Sequence, residues 1–166
     1  MDGEQKIQKA YQSILQHDFE KAIEWFEQAV KEHPDNADFR YKLSITYARS
    51  NKLNQAIDHA EKAFQLDPES EKYKLHLEHL QSRNYMKEAE KVLNNKQQLH
   101  HAASMLSKAV SLDPLAIEAY MLLGSVKIEL AEFKEAVEAF REALKLDPQN
   151  DQATQLLQLC KQKLKK

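Results

Sequence analysis

The sequence predicts an all-α fold made of stacked helix hairpins, and three observations carry that reading. Proline occurs at Pro34, Pro68, Pro114 and Pro148: the first two are 34 residues apart, the last two are also 34 apart, and the middle gap is 46. Alanine stands twelve residues before each proline (Ala22, Ala56, Ala102, Ala136) and again five before it (Ala29, Ala63, Ala109, Ala143). Helix-forming Ala, Leu, Glu, Lys and Gln dominate, while glycine occurs only twice, so the tight turns of a sheet are scarce. A fixed period of this length marks repeats that stack on their neighbours.

Each column has a physical reason. Two alanines seven residues apart lie on one face of a helix and let a partner helix approach closely. Between them sit Phe26, Ala60, Leu106 and Phe140, and Phe19, Leu53, Leu99 and Phe133 open the same helices. Leu-Asp-Pro follows at Leu66-Asp67-Pro68, Leu112-Asp113-Pro114 and Leu146-Asp147-Pro148. Proline cannot continue a helix, so it closes one hairpin and starts the connection to the next. Paired helices are expected at 4–16 with 19–32, 37–50 with 53–66, and 117–130 with 133–146, with another second helix near 98–112. A last helix, 151–164, carries Ala153, Leu156, Leu157, Cys160 and Leu164 on one stripe and Gln and Lys on the other, as a cap with a polar outer face would.

Residues 71–97 depart from the period by twelve. Tyr73, Leu77 and Leu80 form one helical stripe, and Tyr85, Ala89 and Val92 repeat its spacing twelve residues on. With no Pro or Gly between them, one long helix of about 26 residues is expected, possessing two stripes turned about 120° apart and hence facing different neighbours. A bend is expected near Ser82-Arg83-Asn84.

These columns resemble the tetratricopeptide repeat family, over nearly the whole chain. The stretch from Ile117 to Asn150 follows the family pattern best, with Tyr120, Leu123, Gly124, Ala136, Phe140, Ala143 and Pro148 in order. Ser44 and Ala10 match the Gly124 site, where the two helices of a repeat pack closest; Glu90 falls there in the third repeat and departs from the pattern. The resemblance implies one domain over 1–166, a right-handed superhelical solenoid of about four hairpins with a long central helix. Its repeats would span about 3–36, 37–70, 71–116 and 117–150, followed by the cap at 151–164.

The family's first helices line a concave groove that binds peptides or helices. By alignment the groove would be lined by Ile7, Tyr11 and Ile14, by Tyr41, Ile45, Ala48 and Arg49, by Lys87 and Lys91, and by Met121, Ser125 and Ile128. Such a surface suits a protein or peptide segment with an apolar or amphipathic stretch. The implied function is a non-enzymatic adaptor or scaffold. A small assembly or secretion chaperone is an alternative, and so is a self-assembling module exchanged through the long helix, which leaves monomer and homodimer both open. Lys6 and Lys9 replace large apolar residues of the other repeats, as a free end would. The carboxylate clamp of heat-shock chaperone adaptors is not expected, since Ile7, Tyr11 and Lys42 stand at its positions.

The remaining readings are exclusions. Net charge is −2, and the two halves carry 12 basic with 15 acidic and 12 basic with 11 acidic side chains, so nucleic-acid binding is not expected. Lys161, Lys163, Lys165 and Lys166 suit a helix C-terminus, where the dipole favours cations. No apolar run reaches the ~20 residues of a membrane span, and the start has no signal-peptide pattern, which points to the cytoplasm. Cys160 is alone and has no disulfide partner in the chain. No phosphate-cradling glycine loop or nucleophile–base set is present. His76 and His79 share a helix face but lack further metal ligands, and are expected to face solvent. No cofactor is implied.

Overall fold

The computed structural model describes residues 1–166 and contains nine α-helices and no strand. They are α1 (Gly3–Leu15), α2 (Phe19–Glu32), α3 (Ala37–Arg49), α4 (Leu53–Leu66), α5 (Glu71–Val92), α6 (Leu99–Leu112), α7 (Ile117–Glu129), α8 (Phe133–Leu146) and α9 (Asp151–Leu164), with a 3-10 turn at Lys96–Gln98. The chain divides into two compact units, Met1–Leu80 and Gln81–Lys166.

The connections between hairpins repeat one device. Asn36, Ser70, Ala116 and Asn150 donate their amides to the carbonyls of His33, Asp67, Asp113 and Asp147, which makes a turn with proline at its second position. Proline's fixed φ suits that position. The Asp113 and Asp147 carboxylates also accept the amides of Leu115 and Gln149. Asn36 and Asn150 then cap the following helices through Phe39 and Ala153. At the start of the chain Asp2 and Gln5 form a reciprocal capping box.

Inside the hairpins the turns are tighter. His17, Asn51 and Ala131 lie at φ 61°, 58° and 58° in the three-residue connections after α1, α3 and α7. The amides that follow them, of Asp18, Lys52 and Glu132, reach back to Ser13, Tyr47 and Lys127, the bond pattern of a Schellman cap. A left-handed conformation costs an alanine about 1–2 kcal/mol, part of which the freer unfolded chain of a glycine returns. Ala131→Gly should therefore stabilise the second unit by about 0.5–1 kcal/mol, seen as a higher urea midpoint.

The first unit buries Ile7, Ala10, Ala22, Phe26, Leu43 and Ala56 in one core, which Leu77 and Leu80 of α5 complete. In the second unit Ala89 of α5 joins Leu99, Ala102, Leu106 and Val126. A further cluster holds Ala136, Phe140, Ala143, Ala153 and Cys160. The two stripes of α5 thus serve different cores. Cys160 is buried, and burial pushes its thiol pKa up.

Four expectations need correction. The long helix has 22 residues and stops at Val92. Asn94-Asn95 ends it, for the Asn95 side chain accepts the Gln97 amide and holds a turn in place of another helical turn. With a six-residue connection after α5, the fully buried small residue of that hairpin is Ala89, while Glu90 is exposed. Lys6 is not a free polar end: it is buried and its ammonium pairs with Glu32 of α2, holding that carboxyl below its usual range. Leu164 lies outside the buried stripe of α9 and is exposed.

Candidate functional site

In the first unit, α3 and the first half of α5 bring together an aromatic and cationic surface. Tyr41 packs its ring against Tyr73 at 5.2 Å and meets His76 edge-on at 5.0 Å. The Lys72 ammonium lies 4.9 Å from the centroid of Tyr41 and 5.0 Å from that of Tyr73, within cation–π range. Asp38 sits beside it, 3.7 Å from Lys72, and also pairs with Lys42 one turn along α3. Burial and Asp38 pull the Tyr73 phenol toward its neutral form, raising its pKa.

His76 is held from behind. The Ser44 hydroxyl donates to the Ala56 carbonyl at 2.6 Å and lies 2.8 Å from His76 Nε2. A hydroxyl has one proton, so once Ala56 takes it, Nε2–H of His76 must be the donor to Ser44. That fixes the tautomer and leaves Nδ1 as an acceptor. Burial, with His79 as a lesser cause, lowers the His76 pKa to about 4. The expectation that His76 faces solvent is thereby overturned. It is a half-buried strut between α5 and α3, and the small residue at position 44 is what admits it.

The other anticipated groove residues divide by exposure. Ile7 is only 3% exposed and belongs to the core, so it offers a ligand no surface. Ile14 and Ala48 also pack on that core, half-buried. Ile45 is half-buried, and Arg49 is exposed. Tyr11 is 45% exposed while one ring edge rests on Phe26. In the second unit Met121 and Ser125 border a cleft of about 510 Å³ with Glu90, Glu118 and Gln152. Ser125 also borders a neighbouring cleft of about 390 Å³ with Asn94 and Glu129. Lys87 and Lys91 are exposed on α5, Lys91 paired with Glu88, and Ile128 packs on the third core cluster.

Lys72, Tyr73 and His76 were missed as site residues. The signal was available, because the first stripe of α5 occupies the register that a regular first helix would take. The structure contains no group of three or more His, Cys, Asp or Glu side chains placed to hold a metal ion. No helix is long and apolar enough to cross a membrane.

Stacked helix hairpins with alanine-lined close contacts and proline-marked connections define a helical-repeat interaction module. Models of the tetratricopeptide repeat match residues 13–77 and 117–150, together more than half of the chain, and the chain belongs to that family. Among curated relatives, Protein O-mannosyl-transferase TMTC3 of Homo sapiens and of Mus musculus are each 27% identical over 135 residues, which cover 80% of this chain. The chain spans 15% of the length of those relatives, so the transferase activity in their name is said of them alone. Of solved structures, one MamA protein is 24% identical, with 97% of this chain and 81% of that chain covered and a TM-score of 0.58. MamA from Desulfovibrio magneticus RS-1 is 18% identical, with 95% and 82% covered and a TM-score of 0.57. These likenesses show the fold. Tetratricopeptide repeats are in general non-enzymatic modules that bind protein partners.

Proposed function

We propose that this chain is a cytoplasmic adaptor that binds a segment of a partner protein, anchored on the face of α3 and α5 that carries Tyr41 and Lys72, with the buried ring of Tyr73 behind them. The observation that supports this reading is the packing of two tyrosines under one lysine, with His76 edge-on to Tyr41 and Tyr11 exposed on α1. Rigid aromatic rings give a large contact area at low entropic cost, and the lysine adds orientation. A segment with an apolar or aromatic side chain next to a carboxylate fits such a surface.

Affinity capture from cytosol tests this reading, with wild type run beside Tyr11→Glu/Tyr41→Glu and beside Lys72→Glu, each first shown to be helical by circular dichroism. A partner held by wild type should fall at least about tenfold on both variants, as expected when an anchor is lost. A partner retained equally by all three would remove binding from this face.

A further inference from the structure

The second unit leaves open a cleft that the first unit fills with its own side chains. In the repeat columns, Glu27, Tyr47 and His59 correspond to Ser107, Lys127 and Ala139. In the first unit Tyr47 donates to the Glu27 carboxylate. His59 stacks on the Tyr47 ring at 5.6 Å with 16° between the planes, and Arg40 donates to its Nδ1 at 3.4 Å. In the second unit Ser107 and Ala139 are too short to fill the same space, and Lys127 is drawn away to Glu132. What remains is a cleft of about 470 Å³ between α6, α7 and α8, with Tyr120 and Leu123 in its lining.

Its charge differs as well. The first unit has Gln55, Asp58 and Lys62 where the cleft has Glu135, Glu138 and Glu142, so the mixed wall has become acidic along α8, and the cation that lines the cleft, Lys127 of α7, is already paired with Glu132. Glu135 and Glu138 are exposed and make no ion pair, and Glu142 pairs only with its neighbour Lys145. The chain also carries a surface of opposite character. Lys161, Lys163, Lys165 and Lys166 at the end of α9 are exposed, and none pairs with a carboxylate of its own chain. Leu159 and Leu164, among those lysines, are 39% and 45% exposed. Leu159 and Lys163 are one helical turn apart and share a face.

We infer that the α6–α7–α8 cleft is a docking surface for the lysine-bearing end of α9 of a second copy of this chain. A leucine of that helix end lies against Leu123 and Tyr120, and its lysines face Glu135 and Glu138. Each copy offers one cleft and one helix end, so two copies can exchange reciprocally or further copies can add on. This surface is separate from the Tyr41–Lys72 face, and its failure would leave that reading untouched.

Sedimentation equilibrium of the full chain tests it. The mass-average should rise above the monomer between about 5 μM and about 500 μM at low salt, and about 0.5 M NaCl should weaken association at least about tenfold, since exposed charges are screened. Glu135→Lys/Glu138→Lys alone, and Lys161→Glu/Lys163→Glu alone, should each be monomeric; the milder Glu135→Gln/Glu138→Gln should weaken association without reversing charge. Mixing the two reversed variants should restore a complex, because each then meets an opposite surface. All these positions are exposed, so the variants should keep the wild-type circular dichroism. A monomer at every concentration, association indifferent to both reversals, or no complex on mixing would each overturn the proposal.

Discussion

Phe140→Ala should destabilise the second unit by about 3–5 kcal/mol, the usual cost of emptying a fully buried aromatic site. The ring has no exposed surface and lies among Ala136, Val137 and Ala143. Its other side faces the backbone of α7, where a methyl on Gly124 would meet Cε1 and Cζ at 2.6 Å and Cε2 at 2.9 Å. Gly124→Ala alone should therefore overpack the α7–α8 contact at about 1–3 kcal/mol, against about 1 kcal/mol gained from alanine's higher helix propensity. The α1–α2 hairpin has Ala10 at the matching position with Phe26 opposite, both buried, so the repeat has a spacing that admits a methyl. This places the net cost of Gly124→Ala toward the low end. The two substitutions should be strongly coupled: in the Phe140→Ala background the clash is gone, and Gly124→Ala should turn neutral or stabilising by up to about 1 kcal/mol. Urea denaturation of the four proteins reads this as a change of sign. Equal effects of Gly124→Ala in both backgrounds would mean that the ring swings aside and that Gly124 does not set the helix spacing.

Most element positions were legible because the repeat states the same answer several times. Proline, the two alanine columns and the aromatic or leucine between them agree in three hairpins, and α2, α4, α8 and α9 begin and end where those columns place them. Legibility failed where a local event replaced the period. Asn94-Asn95 carries no proline or glycine, yet its side-chain bonding ends α5 and lengthens the next connection, which shifts the close-packed residue from Glu90 to Ala89. The candidate surface was half legible. Tyr41 could be placed by alignment, but its neighbours Lys72, Tyr73 and His76 lie on a helix whose register the alignment left open. The bond between Ser44 and His76 joins residues 32 apart and depends on how close two helices come, which spacing does not report. Lys6 illustrates the opposite error: a lysine in an apolar column reads as exposed until its partner, Glu32, is seen 26 residues away.

Acidification should destabilise the first unit through His76. The folded protein holds this imidazole at a pKa of about 4, first by burial and then by the charge of His79, whereas an unperturbed imidazole titrates near 6.5. Between those values the unfolded chain binds a proton that the folded chain refuses, so stability rises with pH across that window. The contribution is complete above about pH 6.5, is lost as pH falls toward 4, and changes no further below that. A shift of this size corresponds to roughly 3 kcal/mol at most, and partial exposure of the ring brings the expectation to about 2 kcal/mol. Ser44 accepts from Nε2–H in the neutral and the charged ring alike, and the neighbouring His79 brings a like charge. Urea midpoints of wild type and His76→Gln at pH 7, 5 and 4 isolate the effect, because losses from carboxylates such as Glu32 and Glu132 are common to both. Wild type should lose about 2 kcal/mol more than the variant over this range, and parallel losses would show that the imidazole stays solvated and that its bond to Ser44 does not form. The same proton bears on binding, since His76 supports the ring of Tyr41 from α5. A partner anchored on Tyr41 should therefore be released over the same pH window in which the first unit weakens, and His76→Gln should flatten both curves together.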